Sequence, residues 1–390
     1  MKGSVRKRKN NAWSYRIDLG YVGGKRKQIE KGGFKTERAA TKAMQDVLYH
    51  LNNTGDYVEN KKITFHTVYE EFIEREGKAT RAYATLKRYD SLYRNHIKKQ
   101  FGPMYVYQIS DIMIIDFLNQ KRQKYSEEYV KGFYKFFNVI MRYAHNHKYM
   151  KKNVMDLVPP PPDPRHRGDI VTYSREELAQ MIERIESTRS KIAFQIALQA
   201  GLRESECFAL TWDDIDFEKK TLKVCKQLLY QDKKWCFVPL KTINSYRSVN
   251  ITSEFAQYLA DMKMQQEAER KFYGAGYKRN FVTDRREPRK EKVIEIPNFI
   301  NVKANGEMLT TNGAKFLARI IKKDLGIHFK FHNLRHTYAT VLAENGLSPR
   351  YVQEMLGHSK LEFTLRYYTH ITEKMSRAAE NALTLAFHFD

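Results

Sequence analysis

The sequence predicts a multidomain, mainly α chain with α+β parts: a small N-terminal domain of three strands and one helix, an all-helical second domain, and a mostly helical third domain with a small β-sheet insert. Three observations predict it. Residues 13–19 alternate polar and apolar, whereas apolar residues recur every three or four positions from residue 36 onward. Four consecutive prolines at 159–162 hold an extended, semi-rigid spacer. The length of 390 residues is more than one domain of about 100–200 residues uses. The expected boundaries are 1–62, 63–155, a proline-rich linker at 156–169, and 170–390.

Charge narrows the function. With 69 Lys+Arg against 45 Asp+Glu the formal net charge is +24, which calls for a polyanionic partner. Nucleic acid is favoured over an acidic membrane, and no run of about 18 apolar residues is present, so no membrane span is predicted. The N-terminus has a basic stretch without the apolar core of a signal peptide, so a cytoplasmic protein is expected. Cys207, Cys225 and Cys236 are too few and too irregular for a disulfide framework or a zinc module.

In the first domain, Trp13-Ser-Tyr-Arg-Ile-Asp-Leu19 reads as a strand, and Gly23-Gly24 turns the chain into a second at Lys25–Lys31. Thr36 caps a helix to about His50, with Ala39, Ala40, Ala43, Val47 and Leu51 expected on its inner side. Basic residues alternate with aromatic ones on this sheet, and a β-sheet can enter a major groove. The candidate DNA contacts are Arg6, Lys7, Arg8, Trp13, Tyr15, Arg16, Lys25, Arg26 and Lys27.

The second domain is helical by period. Helices are expected over about 64–76 and 80–99, the latter broken by Phe101-Gly-Pro103, and from Ser110 and Ser126. In the last of these, Val130, Phe133, Phe137, Ile140 and Ala144 form the core face. Lys131, Lys135 and Arg142 form a separate basic stripe, and with Arg88 they are candidate phosphate contacts. In the third domain, Ser174-Arg-Glu-Glu177 has the form of a capping box. The β insert is expected at Leu222–Lys226, Cys236–Leu240 and Arg247–Ile251, with a turn near Gln231-Asp-Lys233.

Four segments of this domain carry the chemistry: Ala200-Gly-Leu-Arg-Glu-Ser-Glu-Cys-Phe-Ala-Leu210, Pro239-Leu-Lys-Thr-Ile-Asn-Ser-Tyr-Arg-Ser-Val249, His332-Asn-Leu-Arg-His336, and Leu356-Gly-His358 followed by Thr364-Leu-Arg-Tyr-Tyr-Thr-His370. Each is weak alone. In this order and approximate spacing they resemble the motifs of the tyrosine recombinase family, the phage integrases, and look closest to the integrases of conjugative transposons and Gram-positive phages. The first 160 residues resemble the family's arm-site-binding and core-binding modules by pattern more than by motif.

The resemblance implies a site-specific recombinase of a mobile element that cuts and rejoins DNA through a 3′-phosphotyrosine. It implies a C-shaped clamp on double-stranded DNA, a homotetramer on paired sites, and an accessory directionality factor. It implies the catalytic set Arg203, Lys241, His332, Arg335, His358 and Tyr368, with Glu206 orienting Arg203 from one helical turn away. Arginine suits attack on a phosphodiester because it stays charged and grips two oxygens with a planar fork. Lys241, on a β-hairpin in the family, would be the general acid. His332 and His336 stand at i and i+4, but Asn333 occupies the position where a metalloprotease motif has Glu, so neither a metal nor another cofactor is expected. His336 is expected to pack within the domain, and Gly357 to permit close backbone approach. Tyr367 and Tyr368 are adjacent, and a helix turns about 100° per residue, so one of them faces the phosphate. The Tyr-x-His ending of the resembling integrases designates Tyr368. A DNA-binding regulator with a dead recombinase domain and a metal-dependent nuclease are the rival readings. After His370, Met375, Ala378, Ala379, Ala382, Leu383 and Ala386 predict an amphipathic tail helix over 373–386, docked on its own domain or on a neighbouring subunit.

Overall fold

The computed structural model describes residues 3–9, 11–22, 25–54, 62–162, 170–287, 290–368, 380 and 383–384. The chain divides into two compact units, Met1–Arg167 and Gly168–Asp390. Among the described residues no helix is long and apolar enough to cross a membrane. The predicted tail helix lies outside the described residues apart from Glu380, Leu383 and Thr384, and so do Gly23, Gly24 and residues 163–169 of the linker.

The first unit opens with an antiparallel sheet of β1 (Gly3–Lys7), β2 (Trp13–Val22) and β3 (Lys25–Phe34), ordered β1-β2-β3, followed by α1 (Glu37–Thr54). Thr36 Oγ1 accepts the Ala39 N–H at 3.2 Å and caps α1. The register pairs Val5 with Tyr15 and Ile17 with Ile29, and this face packs on α1 around Tyr15, Ile17, Val47 and Leu51. Two expectations fail here. Tyr15, read as a DNA contact, is 1% exposed and is core, because its strand phase is that of Ile17. Ala39, read as inward, is exposed in the first turn of α1, while Ala40 is fully buried.

The helical part follows with α2 (Phe65–Phe72), α3 (Tyr83–Leu92), α4 (Asp111–Arg122) and α5 (Glu127–Asn146). Ser110 and Ser126 cap α4 and α5 by accepting the N–H groups of Met113 and Tyr129. The sequence predicts uninterrupted α-helices over 64–76 and 80–99. The structure instead runs α2 into a π turn at Ile73–Gly77 and α3 into another at Tyr93–Ile97. A wider turn shifts the helical phase, and Leu92 and Tyr93, neighbours in sequence, are both buried. Val130, Phe133, Phe137, Ile140 and Ala144 are fully buried as their spacing predicts, joined by Phe136 and Met141. Met155 and Val158 still belong to this core.

The second unit begins with the capping box: Ser174 Oγ accepts the Glu177 N–H at 3.1 Å and Glu177 accepts the Ser174 N–H at 2.9 Å. It comprises α6 (Arg175–Ile185), α7 (Lys191–Ala200), a short α8 (Glu204–Cys207), α9 (Ser253–Tyr273), α10 (Asn312–Leu325), α11 (Phe331–Glu344), α12 (Pro349–Leu356) and a short α13 (Leu361–Leu365). The predicted single insert is two sheets. One orders β4 (Ile215–Asp216), β5 (Thr221–Val224) and β8 (Arg247–Asn250). The other contains β6 (Gln227–Gln231), β7 (Lys234–Val238), β9 (Phe281–Asp284) and β10 (Lys292–Glu295) in the order β10-β9-β7-β6, with β7 and β9 parallel. The turn between β6 and β7 holds Asp232 and Lys233 at φ 49° and 63°, the left-handed pair that a tight hairpin needs.

Tyr15 gives a test of the first sheet. Tyr15→Ala is expected to cost about 3–5 kcal/mol and to abolish the sheet's cooperative unfolding in urea. A substitution that leaves the unfolding midpoint unchanged would mean the ring is not core.

Candidate active site

The site is built around a buried carboxylate. Gly201, at φ 62°, ends α7 in the left-handed conformation, and the chain re-enters helix with Arg203 as the N-cap of α8. One turn on, Glu206 is 1% exposed. It accepts the Arg203 backbone N–H at 3.0 Å and the Arg203 guanidinium at 2.7 Å. Its other partner is Arg247, at 2.9 Å. Burial by itself would raise the Glu206 pKa. The charges of Arg247, Arg203 and Arg335 overcome that and hold it at about 2.

Arg335 on α11 is the largest fully buried side chain. It donates to the Gly201 carbonyl at 2.7 Å and to the Leu356 carbonyl. Burial, and then repulsion from Arg203 and Arg247, lower its pKa to about 9. Arg203 also donates to the Gly357 carbonyl at 3.3 Å, and Arg247 to the Met355 carbonyl at 2.7 Å. Three guanidiniums are therefore stitched to the C-terminal end of α12, with one carboxylate among them. Gly357 ends α12 at φ 64°, and a Cβ there would sit 2.8 Å from the Asn244 carbonyl oxygen. Any side chain at 357 would force the β8 approach away from α12.

Next along the chain, His358 pairs through Nδ1 with the Thr364 hydroxyl at 2.9 Å. Burial, followed by the charges of Arg335, Arg203 and Arg247, pulls its pKa down to about 3, so the ring is neutral. His332 is exposed by area, but the protein packed around its remaining sides and the nearby His336, Arg335 and Arg203 also lower its pKa. Its ring meets that of His336 edge-on, with centroids 4.6 Å apart. His336 Nδ1 pairs with the Tyr367 hydroxyl at 2.7 Å. Tyr367 is buried, with its ring nearly parallel to that of His358 at 6.4 Å. Tyr368 is half-buried, and its hydroxyl donates to the Leu347 carbonyl. Burial raises the pKa of both phenols. His370 lies outside the described residues.

The fold thus brings Arg203, Glu206, Arg335 and His358 into one cluster, with His332 beside it. It does not place Lys241 there: Lys241 is exposed, with no hydrogen bond or ion pair to a described residue. Nor is it on a hairpin. It lies in the loop between β7 and β8, which belong to different sheets. Arg247 was given no role from sequence. The available signal was its strand phase, since Arg247 lies two residues before the buried Val249 and so faces inward. Among the described residues no group of His, Cys, Asp or Glu could hold a metal ion.

The candidate DNA contacts lie elsewhere. On the outer face of the N-terminal sheet, Arg6, Arg8 and Arg16 converge on Glu30 at 2.6, 2.7 and 2.8 Å, and Arg26 pairs with Asp18. Lys7 and Lys27 are exposed, Trp13 is half-buried, and the Lys25 side chain lies outside the described residues. On the helical part Arg88, Lys135 and Arg142 are exposed and Lys131 is half-buried.

Comparison with known proteins follows the same division. Residues 173–375 match the phage integrase family, residues 4–50 an arm DNA-binding domain, and residues 64–122 the N-terminal SAM-like domain of phage integrases. A tyrosine recombinase XerC-like protein of Caldanaerobacter subterraneus subsp. tengcongensis is 29% identical over 369 residues, 90% of each chain. The integrase of Staphylococcus phage L54a is 24% identical over 362 residues, covering 85% of this chain and 96% of that one. The transposase from transposon Tn916 of Enterococcus faecalis is 27% identical over 212 residues, about half of each chain (52% and 48%). Among solved structures, the Tn1549 transposon integrase in complex with transposon right end DNA aligns with a TM-score of 0.66 at 20% identity, covering 83% of this chain and all of that one. A lambda integrase tetramer bound to a Holliday junction gives 0.55 at 16% identity, covering 93% and 94%. At those identities the structural likeness concerns the fold. The family match at 173–375 spans just over half of the 390 residues, so the chain belongs to the phage integrase family, and it is a tyrosine recombinase, an enzyme of site-specific DNA recombination.

Proposed function

We propose that this recombinase cuts and rejoins the attachment DNA of a mobile element with Tyr368 as nucleophile and Arg203, Lys241, His332, Arg335 and His358 as its catalytic groups. The observation that carries the reading is the cluster of three guanidiniums around Glu206 with neutral His358 beside it. Its positive charge exceeds that of its one carboxylate, and an anionic phosphodiester supplies what is missing. Arg203 and Arg335 stabilise the charge that grows on the non-bridging oxygens during attack. Glu206 and Arg247 are positioning residues. If the Thr364 hydroxyl donates to His358 Nδ1, His358 Nε2 carries the proton and donates it in a hydrogen bond to the same phosphate.

In the first step the Tyr368 hydroxyl gives its proton to solvent as its oxygen bonds to phosphorus, and the 5′ oxygen leaves, taking a proton from Lys241 as general acid. In the second, the 5′ hydroxyl of a partner strand attacks the 3′-phosphotyrosine and returns its proton to Lys241, and the tyrosine oxygen leaves and takes a proton from solvent. One phosphodiester is exchanged for another, so neither ATP nor a metal is required. Two groups must move. The Tyr368 hydroxyl has to exchange the Leu347 carbonyl for the phosphate, and the exposed Lys241 loop has to close on the leaving oxygen. DNA binding and assembly supply both movements. The assembly is a homotetramer on paired core sites, with the N-terminal sheet on separate arm sites. An accessory directionality factor acts on this complex, and the enzyme works in the bacterial cytoplasm. Residues 1–62, 63–155 and 170–390 serve as the arm-binding, core-binding and catalytic domains, with 156–169 as linker.

On a suicide duplex nicked near the cleavage point, the chain is expected to remain attached at a 3′ phosphate. Tyr368→Phe abolishes the adduct and leaves binding nearly intact, since one hydroxyl is lost. Loss of the adduct in Tyr367→Phe with its persistence in Tyr368→Phe would move the nucleophile by one residue. Cleavage is expected to survive excess EDTA; loss in chelator and recovery with magnesium would refute metal-free catalysis. A chain beginning near Lys61 is expected to bind core sites and lose a second affinity for arm DNA. Its log-affinity against log-salt slope on arm DNA falls by about 0.9 for each phosphate contact removed, and unchanged arm binding would refute a separate module.

A further inference from the structure

One glycine of the helical part is out of place on local grounds. Gly132 sits in the interior of α5, a helix of 20 residues, and is buried. Glycine is the least favourable interior helix residue after proline, because it has the most backbone freedom to lose. Its φ is not in the left-handed region, so the backbone conformation does not call for it. What occupies the space of the missing Cβ is one group. The Arg88 guanidinium, reaching across from α3, has its Nη2 2.7 Å, its Cζ 3.3 Å and its Nε 3.4 Å from the position a Cβ would take. An alanine there would meet the far end of a flexible side chain, which can swing aside without disturbing either helix backbone.

The charges around this contact are informative. Arg88 is exposed, and no described carboxylate pairs with it, whereas Arg94 on the same helix run is paired with Asp90 at 2.7 Å. Lys135 is one turn along α5 from Gly132 and is exposed, and Lys87 adjoins Arg88. A guanidinium that lies against helix backbone and pairs with no described carboxylate keeps its donors open. Its position suits an external anion, since a planar fork that pairs with no described carboxylate is open to grip a phosphate.

We propose that Gly132 is a positioning residue for DNA. By lacking a Cβ, it leaves room for the Arg88 guanidinium to lie against α5, from where, with Lys135, it grips a backbone phosphate of the core site. The inference rests on the reading that this face of the helical part binds DNA, which the experiment tests separately.

Full-length protein carrying Gly132→Ala, Arg88→Ala or both is compared with the parent in core-duplex binding over a range of salt, and in thermal unfolding. Gly132→Ala is expected to unfold no earlier than the parent, since alanine favours the helix. It is expected to weaken core binding by about tenfold, the scale of one charge-assisted contact, and as much as Arg88→Ala does. Both should flatten the salt slope by about 0.9, and the double variant should bind no worse than either single one. If Arg88→Ala weakens binding and Gly132→Ala does not, or if Gly132→Ala lowers the unfolding temperature, the positioning role is refuted. If Arg88→Ala binds as the parent does at every salt concentration, the reading of this face as a DNA surface fails instead.

Discussion

The buried carboxylate of Glu206 is the interaction on which the catalytic cluster depends. An ionised carboxylate with 1% exposure is unstable unless cations and hydrogen-bond donors surround it. Here Arg203 and Arg247 supply both, from the helix start after α7 and from β8, and Arg335 adds its charge from α11. The same three arginines donate to carbonyls at the end of α12. One anion and three backbone acceptors thus fix guanidiniums from three separate stretches of chain. Removing either paired cation would take one of the two direct partners from a buried carboxylate, which is destabilising, so stability and the phosphate site share the same atoms.

The aromatic side of the site is arranged differently. His358 and His336 are each tied to a neighbour through Nδ1, one to Thr364 and the other to Tyr367. Burial, and then the surrounding cations, keep both rings from gaining charge. Tyr367 is thereby packed and bonded, and its neighbour Tyr368 is left on a single backbone carbonyl. A hydroxyl held by one bond to a loop can be released at less cost than one enclosed in a cluster, which suits a group that must reach a phosphate.

Basic residues outside the site are not equivalent, although a net charge of +24 counts them alike. On the N-terminal sheet, three arginines surround Glu30, so a carboxylate spaces their guanidiniums and partly offsets their charge. On α3, Arg88 has no such partner among the described residues and lies against α5 at Gly132. The first arrangement pre-sets spacing among several donors, and the second makes room for one donor by shape.

By itself the sequence determined the strand-to-helix division of the chain, the capped starts at Thr36, Ser110, Ser126 and Ser174, and the core face of α5, because these follow from short-range periodicity and local hydrogen bonding. Its four motifs also carried the family and its candidate residues. Strands β9 and β10, four residues each, were too short to show a period, and their sheet forms by pairing β9 with the distant β7. Tyr15 shows a second limit, since alternation reveals that one face of a strand differs from the other but not which face α1 will cover. The tertiary structure alone decided that Arg247 completes the Glu206 cluster, that Lys241 stands in a loop apart from it, and that Tyr367 and Tyr368 have different partners. Those outcomes depend on contacts between segments tens to hundreds of residues apart, and no local pattern encodes where such segments meet.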